Sequence, residues 1–237
     1  MRQTLAEIAD AADKLRSHPF FTRLRPDADL RKMLAFAPSG TFWVMSFQDI
    51  IFMNAELTTD PVVRSLVERH RQEDTGHEQW FLADIARVFG AAPTRIDWLF
   101  SERNRRVRTV SYALAGEVFH IHDDVLRLVL LEVLEAAAGV YFSAISVALT
   151  AAGHAGSLKY FAGEHLTAEA DHQMHGESNE QIETMTLSAA QRAESKELID
   201  RMFGRFAQLG DALLEYFDEP TNGSTTSFAE ATPAKIQ

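Results

Sequence analysis

Two segments of this chain carry the same polar pattern, His-x-x-x-acid-x-x-His: His70, Asp74 and His77 in HRQEDTGH, and His165, Glu169 and His172 in EHLTAEADHQMH. Positions i, i+4 and i+7 share one narrow stripe on an α-helix of 3.6 residues per turn. The chain has nine histidines, and five of them (His70, His77, His165, His172 and His175) lie in these two segments. A solvated or capping face would account for one such stripe. Its recurrence among apolar neighbours points instead to two facing helices around a metal centre. Imidazole with carboxylate suits iron or manganese, with zinc as the alternative.

Helical di-iron carboxylate centres take single acids from two helices and an acid-x-x-His pair from each of two others. Asp74-x-x-His77 and Glu169-x-x-His172 supply the pairs, so the single acids must come from elsewhere. The apolar run TFWVMSFQDIIFMNAEL holds only two acids, Asp49 and Glu56. An unpaired acid buried there is costly, so Asp49 either meets a metal, an arginine or a helix end, or faces the surface. In LVLLEVLEAAAGVYF, Glu132 and Glu135 interrupt a second apolar stretch. Glu135 is read as pointing inward, beside the small residues Ala136 to Gly139, and Glu132 as lying on the outer face.

Apolar residues recur at three and four rather than alternating, so the whole chain reads as all-α. The expected helices run from Gln3 to Ser17, from Pro26 to Phe36, and onward from a break at Ala37 to Gly40 with Ser39 or Thr41 as cap. Asp60-Pro61 starts a long helix that passes through both histidines of the first stripe to Phe89; Gly76 is read as allowing close approach within it. The basic run Arg103 to Arg108 is expected to be a solvated face or a dimer contact. Glu117, His120 and His122-Asp123-Asp124 look like a corner and cap. Further helices are expected from Asp124 to Ala152, from Ser157 to Ser178, and from Thr186–Ser188 to Phe217. Residues 1–218 are read as one domain, and 219–237, rich in Pro, Thr, Ser and Gly, as a disordered tail.

The chain is 237 residues long, 46% hydrophobic, with a formal net charge of −11, which argues against nucleic acid or an anionic membrane as its main partner. With no cysteine it has no disulfide framework and no thiolate chemistry, in keeping with a cytoplasmic location. The N-terminus is amphipathic with charges throughout, unlike a signal core. Ala136 to Ala152 is the longest apolar run, short for a membrane span and better read as a buried core helix.

The phrases EDTGHEQWFLADI and YFAGEHLTAEADHQMH make the chain resemble, over about Phe36 to Glu177, the haem-oxygenase-like di-metal oxidases, or iron-containing redox enzymes, of the thiaminase II and pyrroloquinoline-quinone synthase superfamily. The resemblance implies a haem-oxygenase-like bundle of about seven or eight helices. It also implies two Fe(II) ions per chain, with manganese as the alternative, that activate dioxygen toward a small-molecule substrate with an electron donor. A homodimer is implied as well. The implied ligands are His77 with Asp74 or Glu73, Glu135, His165, Glu169 and His172, with Asp49 or Glu56 as the first-helix acid. His70, Glu132 and His175 stand beside them as further ligands or supporting partners. Glu169 occupies a position where aspartate is commoner. The lack of cysteine excludes the thiaminase nucleophile, and His18, just before Pro19, is poorly placed for a haem ligand. A ferritin-like di-metal oxidase, a cofactor-free oxidase and a metal-independent small-ligand-binding protein are the alternatives.

Overall fold

Side-chain caps set five of the helix starts in the computed structural model, which describes residues 1–90, 95–154, 156–162 and 177–218. No strand occurs among the described residues, and the fold is all-α as expected. The helices are α1 (Arg2–Leu15), α2 (Pro19–Thr22), α3 (Leu30–Met33), α4 (Ala37–Leu57), α5 (Pro61–Asp74), α6 (His77–Phe89), α7 (Ile96–Leu99), α8 (Arg105–His120), α9 (Asp124–Ala151), α10 (Glu177–Thr184) and α11 (Ala189–Leu214). Asp60 accepts the N–H groups of Val62 and Val63, both at 2.9 Å, with Pro61 in the first turn of α5. Ser188 and Gln191 close a reciprocal box at the start of α11, leaving two fewer helix-end N–H groups without a partner.

Several boundaries differ from expectation for local reasons. Asp29, not Pro26-Asp27, opens α3, by accepting the Lys32 N–H at 3.0 Å. The expected break at Ala37 to Gly40 is instead the first turn of α4, where proline loses no intrahelical bond. Its small residues are a contact surface: Ser39 is fully buried and donates to Asn104 Oδ1 at 2.8 Å, where the chain enters α8. The long helix expected from Pro61 to Phe89 is two helices. Gly76, with φ of 100°, ends one and starts the next, a left-handed conformation that side chains disfavour. Residues 156–162 form turns and bends rather than the start of a helix at Ser157. The next part of that expected helix, residues 163–176, and the tail from Glu219 lie outside the described residues.

The arginine run is a solvated face at Arg103, Arg105 and Arg106, and it also ties neighbouring elements together. Arg108 donates to the carbonyls of Leu99 and Ser101 at 2.7 and 2.8 Å, Arg106 pairs with Glu215, and Arg103 lies over the Tyr216 ring at 4.4 Å. Only half of the corner reading holds. Asp123 does cap α9 through the Val125 N–H at 2.8 Å, but Glu117 is 1% exposed and grips Arg205 at 2.7 Å, tying α8 to α11.

Helix α9 is the centre of the bundle. Leu128, Val129, Leu130, Leu131, Val133, Leu134 and Ala137 are each at most 1% exposed, because α1, α5 and α11 pack around it. Burial of each such leucine or valine contributes about 1.5–3 kcal/mol. Among the described residues α9 is the one helix long and apolar enough to cross a membrane. In the bundle its apolar residues form the core.

A polar clamp fixes α5 against α9. Asp124, the first residue of α9, accepts the Thr59 N–H at 3.0 Å and the Thr59 hydroxyl at 2.7 Å. Burial opposes the charge on Asp124, yet these bonds and that of the Asp60 N–H hold its carboxyl below the usual range. Nearby Arg127, 5% exposed, donates to the Ile121 carbonyl at 2.8 Å, and its own carbonyl accepts from Asn54 at 3.1 Å. Helices α5 and α9 therefore leave the clamp in step. His70 and Glu135 lie at nearly equal distances along them, about 15 and 16 Å at 1.5 Å per residue.

Replacing Gly76 by alanine meets no atom within 4 Å but forces a side chain into the left-handed region. Gly76→Ala is expected to destabilise the protein by about 1–2 kcal/mol, measured as a lower midpoint in urea with an unchanged slope.

Candidate metal centre

The clamp's register brings one turn of α5 against one turn of α9. His70 is 2% exposed, with Nε2 2.9 Å from Asp74 Oδ2 and 3.1 Å from Glu135 Oε1. One atom from each of the three residues can lie within 4.8 Å of the others, a separation that one ion can span. Distance is right, but alignment for hydrogen bonding is not: both ring nitrogens of His70 and Asp74 Oδ2 are buried without a hydrogen-bond partner. Glu73 Oε2 and Glu132 Oε1 are likewise buried and unpartnered. Five buried polar atoms without a hydrogen bond on neighbouring turns of two helices are unusual, since such atoms are nearly always satisfied, and among the described residues only His70 Nε2 and Asp74 Oδ2 of the five are in an ion pair. Nitrogen and carboxylate donors left unsatisfied in this way fit a divalent cation such as iron, manganese or zinc.

Burial opposes protonation of the His70 ring, but the carboxylates of Glu135 and Asp74 outweigh it and hold its pKa well above the ordinary 6.5. Burial also pushes Glu132 up from 4.5, and the nearby His70 charge only partly offsets this. Protons are thus held where a cation would sit, the expected competition between metal and proton for one set of ligands.

His77 belongs to the surroundings of this cluster. It begins α6, beyond the Gly76 break, with Nδ1 3.4 Å from Asp74 Oδ1 and its ring 4.5 Å from Trp80 at 31°. The Asp74 carbonyl accepts from Gln48 Nε2 at 3.2 Å. Helix α4 therefore offers an amide, not an acid. Asp49 and Glu56 are both exposed, Glu56 at 3.8 Å from Arg64, and neither joins the cluster. Each residue turns 100° about a helix, so with Gln48 toward α5 its neighbour Asp49 faces outward.

Two expectations need correction. Glu132 is not on the outer face: one turn before Glu135 on α9, it turns its Oε1 to the same interior as His70. His70, read as secondary, is the middle of the cluster, whereas His77 approaches through Asp74. His165, Glu169, His172 and His175 lie outside the described residues.

One residue escaped the sequence reading. Asp84 on α6 is 4% exposed and accepts three backbone N–H groups, from Lys159 at 3.0 Å, Tyr160 at 2.8 Å and Phe161 at 3.2 Å. Burial raises its pKa while these bonds lower it. The only signal was an acid inside WFLADIARVF, because its partners are backbone groups some seventy-five residues away. Two open cavities, of about 460 and 550 Å³, meet at Met185 and Thr186, and no residue of the cluster lines them.

Compared with known proteins, the chain matches no family model and no curated protein.

The raised pKa of His70 sets the sign of a pH effect. Its stabilisation of the metal-free protein is fully present below 6.5 and is lost as pH rises through the higher folded value, following proton linkage. Urea midpoints across neutral to alkaline pH are expected to fall for the wild type and to flatten for His70→Asn.

Proposed function

We propose that this protein is a non-haem metal-dependent oxidase or oxygenase that acts with dioxygen on a small organic substrate. The observation that carries this reading is the cluster of His70, Asp74 and Glu135, with Glu73 and Glu132 beside it, in which buried atoms of His70, Asp74, Glu73 and Glu132 have no hydrogen-bond partner. Its histidine–carboxylate composition suits iron(II) or manganese, and the five carboxylate and imidazole groups suffice for more than one ion. The sequence resemblance adds His165, Glu169 and His172 as the remaining ligands.

When bound, iron(II) would supply the electrons that activate dioxygen. The chain's own residues do the rest. His70 and Asp74 share α5 and Glu135 faces them from α9, so the clamp at Asp124 sets the bite of the site. Gln48 holds the Asp74 carbonyl, and His77 holds the Asp74 carboxylate from the far side. Such outer contacts orient ligands and typically alter affinity by about 10–100-fold when removed. Glu132, with its raised pKa, can hold a proton at Oε1 and release it within the site. Leu131, Leu134 and Ala137 keep the α9 side dry. An external electron donor and a homodimer are part of the proposal through the resemblance alone.

The rival reading is a metal-independent ligand-binding protein in which a protonated His70 simply balances two carboxylates. That balance leaves Glu73 Oε2 and Glu132 Oε1 buried and unpaired, which favours the metal reading.

Anaerobic titration of metal-free protein with Fe(II), followed by dioxygen in an oxygen electrode, separates the two. Uptake of about two irons per chain is expected, with dioxygen consumption, and both should fall sharply in His70→Ala and Glu135→Ala. Uptake no greater than for an unrelated helical protein contradicts the proposal.

A further inference from the structure

The docking of residues 158–162 on α6 has a role that the cluster alone does not explain. Three N–H groups converge on the Asp84 carboxylate, and aromatic contacts hold the same loop: Tyr160 lies 5.2 Å from Phe81 and 5.1 Å from Phe142, and Phe161 lies 5.7 Å from Phe81. The loop carries Lys159, whose Nζ sits 3.9 Å above the Trp80 ring. Trp80 in turn stacks on His77, and His77 meets Asp74 of the cluster. A continuous path of contacts therefore runs from Asp84, through Lys159, Trp80 and His77, to Asp74.

We infer that Asp84 is a positioning residue for the metal centre. It latches the loop to α6 so that Lys159 presses Trp80 against His77, and His77 fixes the Asp74 carboxylate. The inference rests on the metal-binding reading above and adds to it a residue outside the ligand set.

Physical grounds make this more than a loop anchor. A cation over an indole ring is attracted to its face, so Lys159 favours one placement of Trp80. The ring of Trp80 leaves His77 little freedom to turn, since the two planes are 31° apart at 4.5 Å. His77 lies past the Gly76 break, so it moves with α6, on which Trp80 packs against its ring. The chain also continues from the latched loop toward His165, three residues beyond Ala162.

The test compares wild type, Asp84→Asn and Lys159→Ala, all metal-free and at a temperature where circular dichroism shows each folded. Backbone hydrogen exchange reads the latch, and anaerobic Fe(II) titration reads the centre. Asparagine keeps the shape at Asp84 but turns an N–H donor toward N–H groups. Asp84→Asn should therefore speed exchange at Lys159, Tyr160 and Phe161 and weaken Fe(II) binding about tenfold or more. Lys159→Ala, at an exposed position that folding tolerates, should leave those amides protected and weaken binding severalfold. Faster exchange in Asp84→Asn with wild-type affinity, or wild-type affinity in Lys159→Ala where Asp84→Asn does not fold, overturns the inference alone. Failure of the wild type to take up Fe(II) overturns the metal reading and this inference with it.

Discussion

The hydrogen bonds between Asp124 and the turn at Thr59 and Asp60 set how far α5 is advanced along α9. Everything at the candidate centre depends on that register. A shift of one residue would rotate His70 by about 100° away from Glu135, and a shift of a full turn would set it against Glu132 or against Ala138 and Gly139 instead. The carboxylate is well suited to the task because Asp124 also starts α9, so the clamp joins two helix beginnings directly. Arg127, buried one turn later, adds the bonds to Ile121 and Asn54 that brace the same junction from α8 and α4.

What the clamp brings together is unfavourable by itself. Burying carboxylates without partners costs several kcal/mol each unless they are neutralised or bound. Within the metal-free protein the charge on His70 compensates Asp74 and Glu135, and the raised pKa of Glu132 reduces the charge that remains. The bundle tolerates this because the rest of α9 is buried in apolar contact. An incompletely satisfied polar patch in an otherwise well-packed core is a local departure of the kind found at functional sites.

Much of this was legible in the sequence. Periodicity gave the all-helical class, and Glu135 inside LVLLEVLEAAAGVYF marked α9 as a helix that carries a carboxylate inward, although Glu132, read as outward, turns inward too. The His70-x-x-x-Asp74 half of the first stripe survives as one helical face. Its other half does not: a sequence pattern at i, i+7 assumes an unbroken helix, and the left-handed Gly76 divides it. Of the two readings open for Asp49 the structure shows the surface-facing one, and Gln48 stayed hidden because an amide bonded to a backbone carbonyl leaves no pattern. Asp84 was hidden for the same reason, its partners being N–H groups that nearly every residue possesses. Local patterns reveal side chains that act along one helix, and register across helices is set by contacts that no spacing records.

The most direct measurement is crystallography of the protein soaked anaerobically with Fe(II), with anomalous data collected on both sides of the iron edge. The account predicts an iron peak within coordinating distance of a ring nitrogen of His70 and of carboxylate oxygens of Asp74 and Glu135. Well-ordered His70, Asp74 and Glu135 without an anomalous peak between them, or a peak elsewhere in the bundle, would contradict it.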